Sequence, residues 1–145
     1  MDSLSLVGLL LLGALVAGIS YRFLHGRGHK VARKQAIDLK RLGATKNGVA
    51  ASSLGKKATL VQFSTEYCGQ CPGVRRQLAQ LEYRLGGLSH VEVDITERID
   101  IAAHFNISQT PTIFVLDSKG EIVYRVGGVP KMPLLMTELE KLGVK

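Results

Sequence analysis

The hydrophobic pattern separates an apolar front from a chain that alternates between apolar and polar positions. Leu4 to Tyr21 is a run of 18 residues without a charged side chain. At 1.5 Å of rise per residue, a helix over this run would be about 27 Å long, close to the ~30 Å hydrocarbon core of a bilayer. Residues 1–24 are therefore predicted to be a transmembrane anchor. A cleaved signal peptide is the alternative, but it would need a basic amino terminus, and the first three residues carry only Asp2.

From residue 58 onward the pattern switches between strand and helix periods. A short apolar run at 58–64 suits a central strand. Apolar residues at helical spacing then predict a helix, and they are Val74, Leu78, Leu81 and Leu85. The remaining elements are predicted in the order strand 91–95, short helix 97–105, strands 112–116 and 122–126, and a last helix ending near 142.

This β-α-β-α-β-β-α order predicts an α/β fold with a mixed central sheet flanked by helices. The first two strands are expected to be parallel, because a right-handed helical crossover joins them, and the 112–126 hairpin is antiparallel. The carboxyl ends of the central strands then meet at one edge of the sheet. Whatever follows the 58–64 strand is predicted to lie at that edge.

Positive charge is concentrated between the apolar run and the first strand of this pattern. The chain has a formal net charge of +7, and residues 22–57 hold ten Lys or Arg against the single acid Asp38. Residues 25–44 are therefore predicted as a basic juxtamembrane segment, helical over 31–42, and residues 45–145 as the folded domain. Such a segment is attracted to the anionic headgroups of a lipid bilayer. Residues 58–145 are near neutral, so no nucleic-acid partner is expected.

The same asymmetry predicts the membrane orientation. Basic residues flank only the carboxyl-terminal side of the apolar run, and the positive-inside rule then places the domain in the cytoplasm. A domain that faces the cell envelope is the alternative. Gly13 and Ala17, like Ala14 and Gly18, are small residues four apart, a spacing that allows helix pairing in membranes, so a dimer is also compatible.

The only two cysteines of the chain, Cys68 and Cys71, form a C-G-Q-C motif just after the first predicted strand. Such a pair serves either redox chemistry or half of a zinc site. A four-thiolate site would need a second pair, and His90 and His104 are too far apart for the paired-histidine spacing of a zinc finger. The motif therefore predicts thiol–disulfide chemistry with no metal. A thiolate at a helix amino terminus is stabilised by unpaired N–H groups and the helix dipole.

Several short stretches accompany the C-G-Q-C motif in a fixed order. They are Phe63-Ser64 at the end of the strand, Glu66-Tyr67 before the cysteines, Asp94 after the second strand, Thr110-Pro111-Thr112 before the third, and Gly127-Gly128 after the last. With these matches, residues 45–143 resemble the thioredoxin family. The resemblance implies a thioredoxin-like fold, here preceded by one amino-terminal transmembrane helix.

The resemblance also implies roles for individual residues. Cys68 would be the nucleophile and Cys71 the buried resolving thiol, with no cofactor beyond their reversible disulfide. The active-site turn would comprise Tyr67, Gly69 and Gln70. Substrate would bind at Thr110, at Pro111 in the cis form, and at Gly127. The implied partners are disulfide-bearing proteins as substrates and, as electron donor, a thioredoxin reductase or a membrane thiol donor.

Three residues depart from the family pattern. Gln70 replaces the proline usually found between the cysteines, and Gln62 stands where thioredoxins bury an aspartate that helps to deprotonate the second thiol. Pro72 directly follows Cys71, which is harmless only if it falls in the first turn of the helix. The preferred direction of electron flow is therefore left open. The leading function is the reduction of protein disulfides. The alternatives are an envelope-facing thiol reductant or oxidant for exported proteins or cytochrome assembly, and a non-catalytic thioredoxin-like interaction module.

Overall fold

The apolar amino-terminal run of the chain forms a single long helix. A computed structural model describes residues 2–24, 26–31 and 35–145. Helix α1, Ser3–Leu24, has no buried residue along its length. Among the described residues it is the one helix long and apolar enough to cross a membrane, and a signal sequence would meet the same criterion.

The rest of the described chain is built on one mixed sheet. Its seven strands are β1 (His29–Lys30), β2 (Thr45–Lys46), β3 (Val49–Ala50), β4 (Ala58–Ser64), β5 (Leu88–Asp94), β6 (Thr112–Asp117) and β7 (Ile122–Gly127). Their spatial order is β1-β7-β6-β4-β5-β2-β3. β4 is parallel to β5 and antiparallel to β6, and β6 is antiparallel to β7. The predicted mixed sheet, with its parallel crossover and antiparallel hairpin, is confirmed.

Helices cover both faces of the central strands. After α1 they are α2 (Leu39–Leu42), α3 (Cys71–Arg84), α4 (Ile99–His104) and α5 (Met132–Lys141). β4 is buried along its whole length, and its successive side chains point to opposite faces. Leu60 packs with Leu78 of α3 in one core cluster. Phe63 packs on the other face against Phe114 and Phe105, with ring centroids 4.8 and 6.1 Å away. The carboxyl end of β4 is thereby held between two apolar layers.

The segment before the domain differs from the helix predicted over 31–42. His29 and Lys30 pair with Arg125 and Tyr124 of β7 as an antiparallel edge strand, and Ala36 forms a β-bridge with Glu121. The edge of β7 offers unpaired backbone groups, and pairing with them outweighs a local helix preference. Residues 25 and 32–34 of the predicted segment lie outside the described residues.

Among the described residues of this segment, helix forms as one turn, α2. The side chain of Asp38 accepts hydrogen bonds from the first turn, and Gly43 ends the helix in the left-handed conformation with φ of 66°. Ile37, Leu39 and Leu42 are buried in the core cluster that contains Phe63. The segment is thus part of the folded unit, rather than a free linker to it.

Candidate active site

The two cysteines form a disulfide at the junction between β4 and α3. Their Cα atoms are 5.4 Å apart. The backbone N–H of Cys68 donates to the carbonyl oxygen of Thr65, and the N–H of Cys71 donates to that of Cys68. Cys71 is 2% exposed, whereas Cys68 is partly exposed. An external thiol or disulfide can therefore reach one sulfur of the pair more easily than the other.

The disulfide lies at the amino end of α3. Gln70 stands at the cap position, and its side chain makes no capping hydrogen bond. Pro72 lies in the first turn, where a missing N–H removes no helical hydrogen bond, so its position is compatible with the helix. The positive end of the α3 dipole therefore lies beside the sulfurs, which favours a thiolate after reduction.

The strand order brings two distant loops to the same edge as the disulfide. The Thr110–Pro111 peptide bond is cis, and the Oγ1 atoms of Thr110 and Thr65 are 3.4 Å apart. The N–H of Gly128 donates to the carbonyl oxygen of Pro111 over 2.7 Å. A Cβ atom on Gly127 would lie 2.5 Å from Nε2 of Gln109, so a side chain here would displace the end of the Gln109 side chain.

The residues of the active-site turn lie at the surface. Tyr67 is 84% exposed, and Gly69 and Gln70 are also exposed. The Tyr67 hydroxyl donates a hydrogen bond to the carboxylate of Glu66, which raises the pKa of Tyr67. The six residues singled out around the cysteines thus lie at one edge of the sheet, namely Tyr67, Gly69, Gln70, Thr110, Pro111 and Gly127.

A buried polar pair, Gln62 and His90, lies beneath the disulfide, and the sequence analysis singled out Gln62 but not its contact with His90. Nε2 of Gln62 donates to the carbonyl oxygen of Cys71 over 3.1 Å, and Nε2 of His90 lies 3.2 Å from Oε1 of Gln62. Because that oxygen can only accept, His90 must carry its proton on Nε2. Gln62 is fully buried and His90 is 5% exposed. The signal available in the sequence was Gln62, a polar residue inside a largely apolar strand. Its partner on β5, His90, could not be identified from spacing alone.

Burial lowers the pKa of His90 from 6.5 to about 4, because desolvation disfavours the charged imidazolium. Among the charged groups that face it, Glu82 of α3 opposes this shift, while Lys46 of β2 and Arg75 of α3 add to it. Lys46 and Glu82 also form an ion pair with each other. His90 is thus neutral at physiological pH and serves as a hydrogen-bond donor.

This histidine predicts a loss of stability in acid. The unfolded chain binds the proton more tightly than the folded chain, so protonation favours unfolding. The contribution of the neutral His90 to the free energy of unfolding is complete above about pH 6.5. As the pH falls towards 4, the free energy of unfolding decreases by up to about 3 kcal/mol. Urea unfolding of the detergent-solubilised chain at pH 7 and pH 4.5 measures this loss. His90→Gln, which keeps a donor without a titrating ring, should lose less stability between these two pH values.

The exposed His104 provides the matched control, because His104→Gln removes a histidine without touching Gln62. This control should show the same acid dependence as the unsubstituted protein. Equal acid losses in the His90 variant and in the unsubstituted protein would contradict the assignment of the effect to His90.

No group of three or more His, Cys, Asp or Glu that could hold a metal ion occurs among residues 2–24, 26–31 and 35–145. The cysteines are joined to each other, and His90 bonds to an amide. The Cys68–Cys71 disulfide supplies thiol–disulfide chemistry at this edge.

Comparison with known proteins identifies the family. The family model named Thioredoxin matches residues 44–140. Thioredoxin H2 of Arabidopsis thaliana is 32% identical over 85 residues, which cover 59% of this chain and 59% of the plant protein. Thioredoxin of Ovis aries is 31% identical over 88 residues, which cover 61% of this chain and 83% of the sheep protein. The crystal structure of thioredoxin f from spinach chloroplast shares the fold, with a TM-score of 0.52 at 21% identity over 61% of this chain and 72% of the spinach chain.

The match confirms both the predicted family and the predicted fold, and it leaves residues 1–43 outside. Members of this family use a dithiol–disulfide couple and no cofactor, and the Cys68–Cys71 pair supports thiol–disulfide oxidoreductase activity. The chain belongs to the thioredoxin family.

Proposed function

We propose that this protein is a single-pass membrane-anchored oxidoreductase that reduces disulfide bonds in other proteins. The observation that carries the proposal is the Cys68–Cys71 disulfide at the amino end of α3, with one sulfur partly exposed and the other buried. The domain that holds it belongs to a family of dithiol–disulfide proteins.

The reaction begins with the reduced protein. The Cys68 thiolate attacks a sulfur of the substrate disulfide, which forms a mixed disulfide and releases the first substrate sulfur as a thiolate. The Cys71 thiolate then attacks Sγ of Cys68, which releases the second substrate sulfur and leaves the Cys68–Cys71 disulfide. Two electrons have moved to the substrate, and a dithiol donor must return them. A thioredoxin reductase or a membrane thiol donor is the proposed source.

The neighbouring loops position the substrate for this attack. Thr110, Pro111 and Gly127 form the proposed binding surface beside the disulfide, and an extended segment of substrate would lie across them. The lack of a side chain at Gly127 allows close approach of a backbone. Tyr67, which directly precedes Cys68, supplies an exposed aromatic ring.

Gln62 has a positioning role in this scheme. Its amide holds the carbonyl group of Cys71, but it cannot accept the proton of the Cys71 thiol, as a carboxylate could. We therefore expect that proton to leave directly to solvent or to a thiolate of the substrate during the second step.

The anchor and its orientation complete the proposal. α1 carries apolar side chains that no other part of the described chain covers, and water is a poor environment for such a surface. Arg22 lies in its last turn, and basic residues follow it, which supports a domain in the cytoplasm. Orientation towards the cell envelope is the alternative, and a dimer through α1 stays a prediction.

The test uses the full chain in membrane vesicles. After a wash at high pH that strips peripheral proteins, the vesicles should still reduce insulin in the presence of dithiothreitol, faster than vesicles without the protein. Protease added to intact spheroplasts should leave the domain uncut, whereas digestion would support the envelope-facing alternative. A washed vesicle that retains the protein but reduces no insulin would contradict the proposed activity.

A further inference from the structure

The direction of the strands fixes which edge of the sheet carries the disulfide. β6 is antiparallel to both β4 and β7, so β4 and β7 run in the same direction. Their carboxyl ends, Ser64 and Gly127, therefore lie at one edge, here called the active-site edge. Cys68 follows Ser64 by four residues at that edge. The turn between β6 and β7, residues 118–121, lies at the opposite edge, here called the distal edge.

The anchor joins the domain at the active-site edge. β1 pairs with β7 in the antiparallel sense, with His29 opposite Arg125 and Lys30 opposite Tyr124. The chain therefore enters β1 from the carboxyl end of β7, and the residues just before His29 lie at the active-site edge. This placement follows from strand pairing alone.

Contacts between the anchor and the loop after β7 agree with this placement. Nζ of Lys131 donates to the carbonyl oxygen of Phe23, the penultimate residue of α1, over 2.9 Å. A Cβ atom on Gly26 would collide with the carbonyl oxygen of Val129, and Gly26 has a φ of 75°. The connection is therefore packed against the domain next to Gly127 and Gly128.

The connection is also short. Residues 25–28 separate the end of α1 at Leu24 from the start of β1 at His29, and a fully extended chain spans at most about 17 Å over that interval. The distal edge is farther from the anchor by the length of β7, whose six residues rise about 20 Å. If α1 spans a bilayer, the active-site edge is the one held near its surface.

We propose that the disulfide of this protein faces the membrane surface at short range, and that its substrates are disulfides in the juxtamembrane segments of other membrane proteins. The inference rests on the anchoring proposed above. A segment of another membrane protein that leaves the bilayer beside α1 lies at about the same distance from the membrane surface as Cys68. A soluble globular protein must instead fit its disulfide into the narrow space between the domain and the headgroups.

A cleft at the junction offers room for such a segment. It has a volume of about 450 Å³ and lies between the anchor end and the loop that precedes Pro111. Leu24 and Arg27 line it on one side, and Gln109 and Gly127 line it on the other. A substrate chain can therefore run from the headgroup region towards the cis-proline loop.

A distance measurement tests the placement without any need for activity. With Cys71→Ser, a fluorescent dye on Cys68 reports on the active-site edge. With Cys68→Ser, Cys71→Ser and Lys119→Cys, the same dye reports on the distal edge. In vesicles whose headgroups carry a short-range quencher, we expect severalfold stronger quenching of the dye on Cys68. Equal quenching, or stronger quenching at position 119, would overturn the inference. Failure of both chains to enter vesicles would overturn the anchoring and this inference with it.

A substrate comparison tests the functional consequence. The measured quantity is the rate of reduction of a disulfide next to the span of a single-span peptide, divided by the rate of reduction of insulin. For the full chain in vesicles, this ratio should be several times higher than for a chain with a flexible Gly-Ser insertion between Leu24 and Gly26. An insertion of about 20 residues adds a mean reach of roughly 25 Å and frees the domain from the surface. The same insertion before Ser3 is the matched control and should leave the preference unchanged. An equal preference in the full chain and in the chain with the insertion after α1, with insulin reduction intact, would overturn this inference alone, whereas loss of all reduction by the full chain would contradict the proposed function.

Discussion

Replacing Cys68 with serine is expected to lower insulin reduction to the rate of the dithiothreitol donor alone. A hydroxyl group at this position is not ionised at neutral pH and cannot form the mixed disulfide, so the first step is lost. The partly exposed position of Cys68 makes it the sulfur that meets the substrate. Insulin precipitation measured by turbidity gives the rate for the full chain in vesicles.

Cys71→Ser is the matched variant, because it also removes one sulfur and the disulfide. Its Cys68 thiolate can still attack, but no second thiol releases the substrate, so the mixed disulfide should accumulate. Non-reducing electrophoresis with a disulfide-bearing substrate detects this species as a band that dithiothreitol removes. Full activity in the Cys68 variant, or trapping by Cys68→Ser rather than Cys71→Ser, would contradict the assigned roles.

Two charges in the centre of α1 are expected to abolish membrane integration. Leu10 and Leu11 lie in the middle of the helix and are both 67% exposed. An arginine at the centre of a spanning helix costs roughly 2.5–3.5 kcal/mol on insertion scales, so Leu10→Arg with Leu11→Arg should cost about 5–7 kcal/mol. The doubly substituted chain should move from the membrane pellet to the soluble fraction after extraction with carbonate.

Leu10→Ile with Leu11→Ile keeps the helix apolar and should remain in the pellet. The intact mass of the purified protein supplies a second readout, because a signal peptide would be cleaved and an anchor retained. Recovery of the unsubstituted protein without residues 1–24, or its extraction by carbonate, would contradict anchoring.

The central strands were predictable from sequence because their burial leaves a direct pattern. The apolar run at 58–64 became β4, which is buried on both faces. The helix period after Cys71 became α3, and the predicted last helix became α5 with Pro133 in its first turn. In these elements the conformation that the local residues favour is also the one that the core of the domain requires. The hydrophobic pattern alone was therefore sufficient to predict them.

β1 was not predictable for a physical reason. It contains only His29 and Lys30, both exposed, and it is a strand because β7 presents an unpaired edge nearly 100 residues later in the chain. The predicted helix over 31–42 would contain Ile37 and Leu42, whereas in the structure Ile37 is buried from an irregular segment and Leu42 from a single turn. Long-range pairing decided the conformation here.

Some residues of the candidate site were likewise predictable from the sequence, and others were not. The C-G-Q-C motif identified Cys68 and Cys71 directly, because two residues between cysteines suffice for a disulfide at a helix start. Resemblance to a family was needed for Thr110 and Gly127, since only the strand order brings them to the cysteines. The role of His90 could not be predicted, because its contact with Gln62 runs diagonally between two parallel strands that are paired only in the fold.

The most direct test of the central claim is a redox titration of the Cys68–Cys71 pair in the full chain reconstituted in vesicles. Equilibration with glutathione or dithiothreitol buffers, followed by thiol labelling, gives the reduced fraction at each potential. The account predicts one reversible two-electron transition with a slope of about 30 mV per tenfold change in the ratio of reduced to oxidised protein. A pair that stays oxidised or reduced at every potential, or that titrates irreversibly, would contradict a catalytic dithiol and favour an interaction module.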